Sequence, residues 1–144
     1  MRRGYFGIGI YHTKMEVNIG TLWRSAQQLG AAFIFTIGRR YKKQSSDTSK
    51  AYLHLPLYHY LDWDEFKSHM PKNCLTVAVE MGGTALSSFA HPERAIYILG
   101  AEDNGLPDVI VDDCNMLVSL EAINIPSYNV AVAGSIVMYS RLFG

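Results

Sequence analysis

Cysteine is scarce in this chain, and the two present, Cys74 and Cys114, stand far apart with no C-x-x-C pair. That excludes a disulfide-framed scaffold and a cysteine-based zinc site. Such usage suits a reducing cytosol, so a cytoplasmic protein is expected. Net charge is missing as well. Thirteen basic and thirteen acidic residues cancel, which argues against heavy non-specific binding of nucleic acid through an overall positive field but leaves room for a local basic patch. No apolar run reaches the roughly 18 residues that a membrane span needs. The opening Met1-Arg2-Arg3-Gly4 leads into glycine-interrupted apolar residues too short for a signal-peptide core. The five histidines (His12, His54, His59, His69, His91) show no H-x-x-x-H spacing, and no metal site is expected. Three further signatures are absent: G-x-x-x-x-G-K-[ST], G-x-S-x-G, and a G-x-G-x-x-G that follows a strand and opens a helix. Their absence removes P-loop chemistry, the commonest serine-hydrolase arrangement and the conventional dinucleotide fold.

What is present reads as one α/β domain over residues 1–144, long enough to bury a core without disulfides. Tyr5 to Tyr11 is rich in β-formers, and its glycines mark close backbone approach. Asn18 is placed as the N-cap of a first helix whose buried stripe is Ile19, Leu22, Trp23, Ala26 and Leu29, with Gly30 as its C-cap. Arg24 falls on the opposite face, free to meet a ligand, a partner subunit or solvent. Ala31 to Ile37 is the second strand, and strand-helix-strand predicts a parallel sheet. Then comes a run without apolar periodicity: Arg39, Arg40, Lys42 and Lys43 around Tyr41. It reads either as a solvated loop or as cations that hold phosphate beside an aromatic that stacks a base. Leu53 to Tyr60 is extended, and Asp62 caps a short helix from Trp63 to His69. Leu75 to Val79 is a buried strand that closes in a loop at Glu80–Thr84.

The richest stretch runs from Ile96 to Arg141. An apolar strand ends in Gly100-Ala101-Glu102-Asp103-Asn104-Gly105-Leu106-Pro107, and a second, Asn115 to Leu120, leads through Ile125-Pro126-Ser127-Tyr128-Asn129 into an apolar helix from Val130 to Tyr139. Strands that end in polar loops at one sheet edge are the usual site for a nucleotide-like ligand in an open α/β domain. Glycine lets backbone approach that ligand closely.

Three segments now stand in order: Asn18-x-Gly20-x-x-x-Arg24, Gly100-x-Glu102-x-x-Gly105-Leu106-Pro107, and Ser127-Tyr128-Asn129-Val130-Ala131-Val132-Ala133. Together they resemble the SpoU/TrmH branch of the SPOUT methyltransferases over almost the whole chain, and above all its short, TrmL-like members. The resemblance implies an α/β fold with a mostly parallel sheet flanked by helices, a C-terminal deep trefoil knot, a homodimer, and S-adenosyl-L-methionine as cofactor. The implied activity is methylation of a ribose 2′-hydroxyl in RNA, with tRNA favoured over rRNA. Carried over by position, Val79, Gly100, Leu120 and Ser127 would bind the cofactor. Arg24, Glu102, Ser127 and Asn129 would form the catalytic group, and Asn18, Arg24, Arg39, Arg40, Lys42 and Lys43 would meet RNA. Many relatives begin the third segment with Ile-Pro-Met where this chain has Leu120-Glu121-Ala122, so a different loop path is expected there. The competing readings are an inactive RNA-binding or assembly protein on the same fold, and a nucleotide-binding α/β domain unrelated to RNA.

Overall fold

Apolar runs of strand length interleaved with amphipathic stretches give a chain of mixed strands and helices. The computed structural model describes residues 1–38, 54–101 and 104–144. Its elements are β1 (Tyr5–Tyr11), α1 (Glu16–Gln28), β2 (Phe33–Ile37), β3 (Leu57–Tyr60), α2 (Trp63–His69), β4 (Leu75–Ala85), β5 (Arg94–Gly100), α3 (Asp108–Asp113), β6 (Met116–Ser119) and α4 (Val130–Phe143). Among the described residues the strands form one six-stranded sheet in the order β3-β2-β1-β5-β4-β6. Every pairing in it is parallel. Parallel strands covered on both faces should be apolar throughout, and β1, β2 and β5 are buried along nearly their whole length.

One face of the sheet packs Phe6, Ile8, Tyr97 and Leu99 against Leu22 and Ala26 of α1 and Val137 and Met138 of α4. The other packs Phe33, Phe35, Ile96 and Ile98 against Phe66 of α2 and Ile110 of α3. The close approach expected at the β1 glycines comes from side chains rather than backbone. A Cβ at Gly7 would meet the Phe33 ring at 2.3 Å, and one at Gly9 would meet the Phe35 ring at 2.3 Å. These are in-register neighbours on β2, so each glycine leaves room for the aromatic opposite it.

Helix ends follow local chemistry, with one correction. Gly30 (φ +79°) ends α1, and Ala31 N–H donates to Ala26 O at 3.0 Å, a Schellman closure. Asp62 caps α2 by accepting from Glu65 N–H at 2.8 Å. Asn18, however, is not the N-cap of α1. The helix begins two residues earlier, at Glu16, whose carboxylate suits the positive helix end. Asn18 is buried inside the first turns, where its Oδ1 accepts from Asn129 Nδ2 at 3.0 Å. Its side chain is spent on a distant helix. The expected loop at Glu80–Thr84 also differs: β4 continues to Ala85. Val79 and Thr84 both pair with Val118, so residues 80–83 leave the ladder with β6 while the strand goes on.

The last helix is anchored by a buried cation. Arg141 is 5% exposed. It donates to Arg3 O at 3.0 Å, Pro92 O at 2.6 Å, Glu93 O at 2.7 Å and the Tyr97 hydroxyl at 3.1 Å. Its guanidinium also lies 5.0 Å from the Phe6 ring centroid. His91 joins this cluster, 2.7 Å from the Tyr97 hydroxyl and 3.2 Å from Ser140 Oγ. Burial, and then the charge of Arg141, push the His91 imidazole down to about 4. No helix among the described residues is long and apolar enough to cross a membrane.

Arg141→Leu should destabilise the protein by about 3 kcal/mol, because three partly buried carbonyls and the buried Tyr97 hydroxyl lose their donor at once. A denaturant melt checks this, and an unchanged midpoint would contradict it. His91 sets a pH dependence whose sign is fixed. The unfolded chain takes up the histidine proton near 6.5, whereas the folded chain resists until about 4. Stability should therefore fall as pH drops through that window. Glu or Asp titration alone would leave the same slope in His91→Gln, whereas the present assignment predicts a shallower one.

Candidate functional site

The order β5-β4-β6 brings the carboxyl ends of three adjacent strands together, the position where open α/β sheets hold ligands. A cavity of about 280 Å³ opens there. Val79, Glu80 and Met81 of β4 form one wall, and Leu99, Gly100, Ala101, Asn104 and Gly105 form the second. Leu120, Pro126, Ser127, Tyr128 and the first turns of α4, at Val130 and Ala133, form the third.

Each wall is held by specific bonds. The loop after β5 folds back on itself, with Gly105 N–H donating to Ala101 O at 3.0 Å. This brings Gly105 and Leu106 so near that a Cβ on Gly100 would lie 2.5–2.7 Å from their backbone atoms. Gly105 has φ +63°, which a side chain rarely adopts. Glu80 ties the first wall to the second: its Oε2 accepts from Leu106 N–H at 2.9 Å and its Oε1 from Met81 N–H at 3.0 Å. Ser119 Oγ donates to Glu80 O at 2.5 Å and accepts from Gly83 N–H at 2.7 Å, which fastens the irregular part of β4 to β6.

The third wall carries the departure noted in the sequence. Glu121 accepts from the hydroxyl of Ser87, in the 3₁₀ turn Leu86–Ser88, and from its N–H at 3.4 Å. Those bonds hold its carboxyl below the usual range. Tyr128 donates to Glu121 O at 2.5 Å. The replacement for the proline-containing start is thus a loop fastened by hydrogen bonds. Asn129 caps α4, with Oδ1 accepting from Ala131 N–H at 2.9 Å and Val132 N–H at 3.2 Å, while its Nδ2 reaches Asn18.

Four residues singled out in the sequence, Val79, Gly100, Leu120 and Ser127, line this one cavity although they come from three separate segments: β4, the end of β5, and the loop between β6 and α4. Asn18 and Asn129 meet each other beside it and are not among its lining residues. Arg24 is exposed on α1 and does not line it within one chain. Glu102, Arg39, Arg40, Lys42 and Lys43 lie outside the described residues. Glu80 and Tyr128 are lining residues that sequence reasoning left without a role. The signal for Glu80 was its place directly after the apolar run of β4. No group of three or more His, Cys, Asp or Glu among the described residues could hold a metal ion.

A parallel α/β sheet with a cavity built from one strand and the loops after its two neighbours defines a ligand-binding class. Its family follows from the sequence match: residues 6–139 fit the model of the SpoU rRNA Methylase family, and the chain belongs to that SpoU/TrmH family. No curated protein matches the chain significantly. Solved structures share the fold at low identity. A protein solved to explain 2-OH methylation of C/U34 on tRNA superposes with TM-score 0.84 at 20% identity, covering 97% of this chain and 95% of that one. The SpoU methyltransferase AviRb from Streptomyces viridochromogenes, in complex with AdoMet, gives 0.80 at 22%, covering 99% and 58%. The AdoMet-bound rRNA methyltransferase from Sinorhizobium meliloti gives 0.82 at 20%, covering 96% and 56%. The chain thus spans little more than half the length of these last two proteins.

Gly100→Ala should cost about 1–3 kcal/mol, because backbone on the opposite side of the turn has to yield. Urea denaturation measures it; a variant as stable as the parent would show that the loop does not pack on Gly100 as described.

Proposed function

We propose that the chain is an S-adenosylmethionine-dependent methyltransferase acting on a ribose 2′-hydroxyl of RNA, with tRNA as the favoured substrate. The observation that carries this reading is the convergence of Val79, Gly100, Leu120 and Ser127 on a single cavity in a chain of this family. The cavity fits the cofactor chemically. Apolar walls at Val79, Leu99 and Leu120 suit an adenine ring, and the space above Gly100 is one that a side chain would fill. When bound there, S-adenosylmethionine would supply a methyl group on a sulfonium whose leaving sulfide is neutral, so no metal is needed.

The protein's own task is alignment and proton removal. Arg24 is a poor base, since a guanidinium holds its proton until pH is above about 12. It acts instead by holding phosphate and orienting the hydroxyl. Glu102, Ser127 and Asn129 complete the group in this reading, with Asn18 positioning Asn129 through their hydrogen bond. In this reading the chain works as a homodimer. Val132, Ile136, Tyr139 and Phe143 form an exposed apolar stripe along α4. Ser135 of α4 meets Ser25 of α1 at 2.9 Å, so burying this face against a second copy also brings Arg24 toward the seam. The chain acts as one catalytic domain with the family's trefoil knot, and Arg39, Arg40, Lys42 and Lys43 contact RNA phosphate.

Methyl transfer from labelled S-adenosylmethionine to separated tRNA and rRNA, taken from cells lacking this gene, tests the reading. Label in tRNA within a nuclease-resistant 2′-O-methyl dinucleotide is expected, and Arg24→Ala should lower the rate about 100-fold with cofactor binding unchanged. Absence of both label and cofactor binding would overturn it and favour an assembly protein on the same fold.

A further inference from the structure

Glu80 is the one Asp, Glu, Lys, Arg or His among the described residues that line the cavity. An ionisable group on the wall of a ligand cavity calls for a reason, because removing part of its hydration costs energy unless something repays it. Two hydrogen bonds repay a part: Leu106 N–H to Oε2 at 2.9 Å and Met81 N–H to Oε1 at 3.0 Å. A neutral acceptor would serve to latch a backbone amide. Each carboxylate oxygen also keeps a further lone pair for a ligand. Backbone bonds fix the residue in place as well, with Ser119 Oγ donating to Glu80 O at 2.5 Å. The carboxylate is thus a pre-positioned negative charge in a cavity otherwise walled, among the described residues, by neutral groups.

We infer that Glu80 selects the charged, methyl-bearing form of the cofactor over its spent form. This rests on the methyltransferase reading above. S-adenosylmethionine carries a sulfonium, an ammonium and a carboxylate, a net charge of about +1 at neutral pH. Transfer moves the methyl group from sulfur to the ribose oxygen, the hydroxyl proton passes to solvent, and the sulfur keeps the bonding electron pair. The product, S-adenosylhomocysteine, is a net-neutral zwitterion. A fixed carboxylate therefore attracts the substrate form more than the product form, favouring loading before transfer and release after it. In a half-buried site such a charge difference is worth about tenfold in relative affinity.

Calorimetry with S-adenosylmethionine, S-adenosylhomocysteine and sinefungin, whose amine replaces the sulfonium with another cation, tests this on the dimeric full chain. The wild type should bind both cations about tenfold more tightly than S-adenosylhomocysteine. Glu80→Gln should bring the three affinities close together, while Glu80→Asp, which keeps the charge, should preserve the preference. If Glu80→Gln weakens all three ligands equally, the carboxylate is only a latch and the inference fails while the cofactor reading stands. If the wild type binds none of the three, the cofactor reading itself has failed. Thermal denaturation of the unliganded variants checks folding. Should Glu80→Gln not fold, the wild-type ratio decides: equal affinity for cation and zwitterion overturns the inference.

Discussion

The guanidinium of Arg141 does more for this architecture than its place near the end of the chain suggests. It gathers the carbonyls of Arg3, Pro92 and Glu93, and so joins the last helix to the segments that enter the two central strands, β1 and β5. At its other end α4 is fixed by Asn129, which caps the helix and reaches across to Asn18 on α1. Held at both ends, the helix cannot slide along the sheet. Its N-terminal end places Val130, and the residues just before the helix, Ser127 and Tyr128, at the cavity beside Val79–Met81 of β4 and the end of β5. The position of the third wall is thus a consequence of contacts made at the far end of the same helix.

The cavity is assembled by loops that bind one another. Glu80 latches the loop after β5, Ser119 latches β4 to β6, and Glu121 latches the third loop to the turn after β4. Backbone groups make up much of this network, as expected where a ligand must be met closely by main chain. Each such bond among the described residues limits the freedom of its segment, which lowers the ordering cost of binding a ligand.

Much of this was legible in the residues, and the rest was hidden for physical reasons. The parallel sheet followed from two apolar runs, Tyr5–Tyr11 and Ala31–Ile37, separated by an amphipathic helix, and those periodicities survive in the fold. Gly100 and Ser127 were carried over from the family resemblance, each from a short contiguous motif, and both line the cavity. Asn18 misled because asparagine ahead of an apolar stripe looks like a cap, whereas its partner is 111 residues away. Distant pairings of this kind leave no local trace. The same holds for Arg141, whose partners are carbonyls distributed over the chain, and for α3, which is six residues long with only Ile110 buried and so has no periodicity to detect. The strand through Glu80–Thr84 was read as a loop because two adjacent glycines suggest a turn. The chain there stays extended, with Gly83 lying so close to Leu117 O that a Cβ would sit 2.4 Å away.

Val79–Met81 of β4 and the loops after β5 and β6 line one cavity, which is proposed to hold S-adenosylmethionine. Amide chemical shifts of isotope-labelled protein, followed during titration with S-adenosylmethionine, test it most directly. Saturable shifts concentrated at residues 79–81, 100–106 and 120–130 are expected, with α2 and β3 undisturbed. Saturable shifts centred on β3 and α2 at the opposite edge of the sheet, or no shifts at any cofactor concentration, would contradict it.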